Sequence, residues 1–169
     1  MAIQRLNHAV LYVRDAAVSA AFYTEVLGFT IRHQMPGAAF LRAPASVNDH
    51  DLGLFSIGAG AGPSNAGRST VGLYHLAWEV ETLGDLITIQ EALRANAALT
   101  GASDHGTSKS LYARDPDGIE FEVHWNVPPE LLTEHDQAIV TERLDLPATL
   151  ARFGADAPSH STTLRRADR

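Results

Sequence analysis

The stretch Leu73-Tyr74-His75-Leu76-Ala77-Trp78-Glu79-Val80 decides the fold, because it restates Leu6-Asn7-His8-Ala9-Val10-Leu11-Tyr12-Val13 67 positions later. Each stretch is short, β-branched and aromatic, and reads as a strand, and each carries a histidine at its third position. Helical spacing of apolar residues follows in both copies. In the first, Val18, Ala21, Phe22 and Val26 mark a helix over Ala16–Leu27, with Asp15 placed to cap its first turn and Gly28 placed to stop it. In the second, Leu83, Leu86, Ile87, Ile89 and Leu93 mark a helix over Leu83–Asn96. Strands are predicted next around Phe29–His33, Ala38–Arg42 and Asp51–Ile57, and again near Ala98–Leu99, Ser110–Arg114 and Ile119–Trp125. The chain thus holds two copies of one βαβββ module, about 3–57 and 71–126, in an α+β domain over residues 1–126. Between the copies, Ile57–Thr70 is a glycine-rich linker with no phosphate-loop spacing. Residues 127–169 are expected to form a C-terminal extension, with helical segments at Glu130–Ala138 and Pro147–Phe153 and a polar tail from Ser159.

Composition narrows the chemistry. At 169 residues the chain can bury a substantial core. It has no cysteine, which excludes disulfides, thiolate metal sites and cysteine nucleophiles, so a metal would have to sit on His, Asp or Glu. A net charge of −7 argues against nucleic acid as a partner. No stretch approaches the apolar length of a membrane span, and the N-terminus runs straight into a strand pattern without a signal peptide. The expectation is a cytoplasmic protein.

Strand alternation gives the candidate residues a common geometry. His8 shares a face with Leu6 and Val10, His75 with Leu73 and Ala77, and Glu122 with Glu120 and His124. Pairing of the two modules about a pseudo-twofold axis would bring His8 and His75 together, with Glu122 joining from a neighbouring strand. Two imidazoles and one carboxylate on one divalent metal leave coordination positions open. A lone histidine in an apolar strand is more often a core or surface residue than a ligand. The repeat offsets that prior, and pattern alone leaves the two readings level.

Four segments carry a resemblance. Asn7-His8-Ala9-Val10, Phe22-Tyr23 through Leu27-Gly28-Phe29, His75-Leu76-Ala77-Trp78-Glu79-Val80 and Asp115-Pro116-Asp117-Gly118-Ile119-Glu120-Phe121-Glu122 resemble the vicinal oxygen chelate superfamily over about residues 3–126. That superfamily includes glyoxalase I, fosfomycin and bleomycin resistance proteins and type I extradiol dioxygenases. The resemblance implies a cupped mixed sheet around a metal site, with His8, His75 and Glu122 as ligands, and a homodimer or higher homo-oligomer. The run from His105 through Tyr112 and Asp115-Pro-Asp-Gly118 to Glu122 is similar to the extradiol signature, although Ser103 departs from it. His50-Asp51-Leu52-Gly53-Leu54-Phe55 resembles the segment that supplies the acid–base histidine of those enzymes. A shift of 67 sets Phe55 against Glu122, so the first module offers no fourth ligand of the kind glyoxalase I needs.

The resemblance therefore implies a single-domain Fe(II)-dependent extradiol dioxygenase, with Mn(II) as the alternative metal, cleaving a catechol-type aromatic diol with O2. His50 would be its acid–base group, Tyr112 a donor to a substrate oxygen and His105 a supporting donor. Each has a plainer reading: His50 as a loop residue, Tyr112 as core, His105 as part of a Ser-Asp-His-Gly turn. His124 is expected to be structural or to line the pocket, and His33, His135 and His160 to lie on the surface. Three alternatives stay open: a glyoxalase-like lyase or isomerase, a metal-free ligand-binding protein of the bleomycin-resistance kind, and a plain structural domain.

Overall fold

The computed structural model of the chain describes residues 2–66, 69–138 and 141–162. It divides into two compact units, one holding the residues through Asn65 together with Asp115–Ile119, the other Ala66–Arg114 and the chain from Glu120 onward. Each unit carries its own mixed sheet. Parts of the expected linker and of the polar tail (67–68 and 163–169) lie outside the described residues.

In the first unit, β1 (Ala9–Val13) leads to α1 (Ala16–Leu27), then β2 (Thr30–Met35), β3 (Ala38–Arg42) and β4 (Leu52–Ser56), with sheet order β1-β4-β3-β2. β1 pairs parallel to β4 and the other pairs are antiparallel. Asp15 caps α1 by accepting from the Ala17 and Val18 amides, and Gly28, at φ 71°, ends it in the left-handed conformation that lacks a Cβ penalty. α1 packs on β3 and β4 and buries Ala16, Ala20, Tyr23, Val26 and Leu27 in a core with Leu41, Leu52 and Leu54. The Asp-Pro-Asp-Gly turn belongs to this unit. Its Asp115 carboxylate accepts from the Asp117 and Ile119 amides and from the buried Tyr23 hydroxyl, and Asp117 accepts from the Arg14 amide and guanidinium.

In the second unit, β5 (Leu76–Glu79), α2 (Leu83–Ala95), β6 (Leu99–Asp104), β7 (Ser108–Arg114) and β8 (Glu120–Asn126) repeat the plan. β9 (Glu142–Arg143) and α3 (Leu146–Phe153) follow, and the sheet order is β5-β8-β7-β6-β9. α2 opens with a reciprocal capping box between Thr82 and Asp85. Leu83, Leu86 and Leu93 are fully buried with Leu111, Ala113, Phe121 and Trp125, each large side chain stabilising by about 1.5–3 kcal/mol relative to exposure. The repeat extends to irregularities. β2 bulges against β3 between Ile31 and His33, and β6 bulges against β7 between Leu99 and Gly101.

Three expectations need correction. β1 and β5 begin at Ala9 and Leu76 rather than at Leu6 and Leu73, because their parallel partners supply ladder positions only from Leu52 and Phe121. His8 and His75 consequently each stand one residue before a strand, still at equivalent places. The Glu130–Ala138 helix is absent: a 3-10 turn covers Pro129–Leu131, and the Asp136 carboxylate then turns back onto the Thr133 amide and hydroxyl, closing a single turn. The two-residue β9, which no hydrophobic pattern marks, pairs with β6.

Candidate metal and acid–base site

β8 sorts its side chains by face. Phe121, Val123 and Trp125 are buried, while Glu120, Glu122, His124 and Asn126 occupy the opposite, half-buried face. Tyr112 of β7 stands directly across from Glu122. Nε2 of His75 lies 3.0 Å from Oε2 of Glu122, and the two side chains are 23% and 12% exposed. The Tyr112 ring centroid is 6.0 Å from that of His75, and its hydroxyl is 2.9 Å from Nε2 of His105, the residue just past β6. Burial first, and the Glu122 charge second, push the Tyr112 phenol above its ordinary pKa, so at neutral pH it keeps its proton and serves as a donor. Glu122, His75, Tyr112 and His105 therefore form one continuous row within the second unit.

This face suits a cation. A carboxylate oxygen and an imidazole nitrogen approach each other, and oxygen and nitrogen donors match divalent first-row metals. His75 Nδ1 is buried with no hydrogen-bond partner among the described residues. Such an atom costs about 1–3 kcal/mol and calls for a functional account.

In the first unit, His8 and His50 face each other with ring centroids 4.7 Å apart, and Phe40 packs edge-on against His50 at 5.1 Å. Asn7 Oδ1 lies 2.8 Å from His8 Nδ1. An amide oxygen only accepts, so the tautomer that suits this contact has the proton on Nδ1, and that tautomer presents the Nε2 lone pair to a metal. The loop bearing His50 is built for rigidity: Asp51 accepts from the Ala43 amide, the Ser46 hydroxyl and the Asn48 side chain, which also donates to the Asn7 carbonyl. Asp49 pairs with His50 Nδ1 at 3.0 Å, and that hydrogen bond lowers the Asp49 carboxyl below its ordinary value. Neither Asn7 nor Asp49 stands out in the sequence; adjacency to a histidine is their only signal.

The candidate residues thus divide between the units, His8 and His50 in the first, His75, Glu122, Tyr112 and His105 in the second. Within neither unit do the described residues gather three His, Asp or Glu side chains into a metal-holding group. Strand register also corrects the match to Glu122. Ala9 pairs with Leu52 and Val10 with Gly53, as Leu76 pairs with Phe121 and Ala77 with Glu122. The second module spends two more residues between these strands, so Gly53, not Phe55, is the counterpart of Glu122. Phe40, opposite Gly53, is likewise the counterpart of Tyr112. The first module still offers no carboxylate there. A Cβ on Gly53 would already meet Val10 Cγ2 at 3.3 Å and Phe40 at 3.6 Å.

Residues 5–123 match the family model described as the Glyoxalase/Bleomycin resistance protein/Dioxygenase superfamily. The chain belongs to this superfamily. It is 32% identical over 170 residues to biphenyl-2,3-diol 1,2-dioxygenase 3 of Rhodococcus globerulus, a match covering 95% of this chain and 88% of that one. Among solved structures it is similar to a glyoxylase/bleomycin resistance protein/dioxygenase domain from Frankia sp. EAN1pec, with TM-score 0.60 and 25% identity over 74% of this chain and 93% of that one. It also shares its fold with a lactoylglutathione lyase from Agrobacterium tumefaciens, with TM-score 0.54 and 22% identity over 72% of this chain and 93% of that one. No helix among the described residues is long and apolar enough to cross a membrane.

Proposed function

We propose that this superfamily member is a metal-dependent extradiol dioxygenase that opens a catechol-type aromatic diol with O2. The observation that carries the reading is the likeness to the Rhodococcus globerulus biphenyl-2,3-diol dioxygenase along 95% of the chain. The row Glu122, His75, Tyr112 and His105 supports it, since it sets a two-donor cation face beside a protonated phenol. In this reading His8, His75 and Glu122 hold one Fe(II), with Mn(II) as the alternative. When bound, the ion would lower the pKa of the diol hydroxyls and feed electron density to O2.

The chain's own groups handle protons and orientation. His50, held by Asp49 and by the clamped loop, takes a proton from the diol and returns it later. The Tyr112 phenol oxygen accepts a hydrogen bond from a substrate hydroxyl, while its own O–H is directed at His105 Nε2. Phe40 and the exposed apolar Val10 and Phe55 offer an aromatic ring apolar contact. Gly53 at the Glu122 register separates this reading from the lyase or isomerase one, because it supplies no donor to a fourth coordination position. A cytoplasmic homodimer completes the proposal.

The test is purification without oxygen, metal analysis, then addition of Fe(II), O2 and either catechol or biphenyl-2,3-diol while following the yellow ring-opened product. Product formation is expected. His8→Ala, His75→Ala and Glu122→Ala should each lose metal and turnover, and His50→Ala should keep metal and lose most turnover. Stoichiometric metal with no product from a panel of diols would sink the dioxygenase reading, and metal retained in all three ligand variants would sink the ligand set.

A further inference from the structure

The superfamily match ends at residue 123, yet chain beyond it reaches the His105 end of the row. β9 pairs with β6 at Ser103↔Arg143 and Asp104↔Glu142, the two residues that lead into His105. On the other side, Gly106 lies so close to the extension that a Cβ there would stand 2.2 Å from the Asp136 carbonyl oxygen. Asp136 is itself fixed by two Arg152 contacts of 2.8 and 2.5 Å and by the Thr133 amide and hydroxyl. Lys109, the only lysine of the chain, is buried and donates to Asp104 at 2.5 Å and to the Gly106 carbonyl at 3.0 Å. Both neighbours of His105 are therefore placed by the extension or tied to what it places. Thr141, the residue before β9, brings its hydroxyl oxygen to 3.4 Å from His105 Nδ1.

We propose that Thr141 is a positioning residue, whose hydroxyl accepts from His105 Nδ1–H and so fixes the ring and tautomer in which Nε2 receives the Tyr112 O–H. The two ring nitrogens are linked: with Nδ1 protonated and engaged, Nε2 is the lone-pair nitrogen and can only accept. The Tyr112 hydroxyl lies 2.9 Å from Nε2, and with Nε2 accepting, Tyr112 is the donor of that bond. The extension is then a strap that carries one polar contact to the site. Its catalytic consequence rests on the dioxygenase reading; the tautomer assignment does not.

The experiment uses the full chain labelled with 15N-histidine, with the His105 ring nitrogens assigned through His105→Gln and read by NMR. The wild type should show the Nδ1–H tautomer. Thr141→Val should move His105 toward the Nε2–H or an averaged form, and Thr141→Ser should restore it. His105 ring shifts identical in the wild type and Thr141→Val would overturn the proposal, as would a shift that Thr141→Ser fails to reverse. With Fe(II), O2 and biphenyl-2,3-diol, Thr141→Val should lower kcat about tenfold with little change in KM, again rescued by Thr141→Ser. An intact tautomer response in a wild type without turnover would remove the dioxygenase reading and leave the positioning role standing.

Discussion

Tyr112 is a residue whose environment sets its chemical role. Its phenol sits opposite Glu122 on the neighbouring strand and is raised above its ordinary pKa by burial and then by that carboxylate. Replacing Glu122 with Gln removes the negative charge and keeps the shape. The phenolate is then less disfavoured, so the Tyr112 pKa should fall; difference titration of phenolate absorbance between Glu122→Gln and wild type, both stripped of metal, checks this. No change would mean that the Glu122 charge does not contribute to raising Tyr112. Tyr112→Phe deletes the hydroxyl while leaving the ring. It should retain metal and lower diol turnover by about 10–100-fold, measured as kcat against metal content per chain. Unchanged turnover would return Tyr112 to the plain role of a packed aromatic.

At the scale of elements, glycines show where local conformation and packing act separately. Gly37, in the β2–β3 turn at φ +78°, has nothing within 4 Å of a Cβ, whereas Gly106, at φ +74°, would drive its Cβ to 2.2 Å from Asp136 O. The backbone cost is the same at both, about 1–2 kcal/mol for a non-glycine residue in the left-handed region. Gly37→Ala should cost about that much by urea unfolding, and Gly106→Ala should cost clearly more, about 3 kcal/mol, because backbone must also move. Equal costs would show that the extension yields freely at Gly106. The elements best legible in the sequence were those whose signals are local. α1 runs from its Asp15 cap to its Gly28 stop as expected, and β3 has its predicted bounds. β9 and the turn over residues 133–137 were not legible, since one is held by pairing with β6 and the other by Arg152, sixteen residues away from Asp136.

Over the whole molecule, the duplicated module was legible because the two copies share a histidine, a helix and a strand order; the bulges repeat as well, but only strand pairing reveals them. Candidate side chains could be picked out by spacing, whereas the register that makes Gly53 the counterpart of Glu122 depends on a two-residue difference between modules that spacing hides. The extension lies furthest from sequence reading, and its stability has a distinctive pH dependence. The Arg152 guanidinium, followed by the Thr133 donors, holds the Asp136 carboxyl well below the usual carboxylate range, and its side chain is 3% exposed. A carboxyl with a depressed folded pKa stabilises the fold above its unfolded pKa, about 4, and loses that contribution as pH falls toward the folded value. Asp136→Asn removes the charge at every pH. The wild type should therefore exceed the variant by about 1–2 kcal/mol near neutrality, with the gap narrowing steadily below about pH 4 as the wild-type carboxyl takes up its proton. Urea unfolding of both proteins near neutral pH and in mild and strong acid measures that gap directly. A difference that stays constant into acid would show that Asp136 acts through shape and neutral hydrogen bonds, and that the ion pair with Arg152 adds nothing to the hold of the extension on the second sheet.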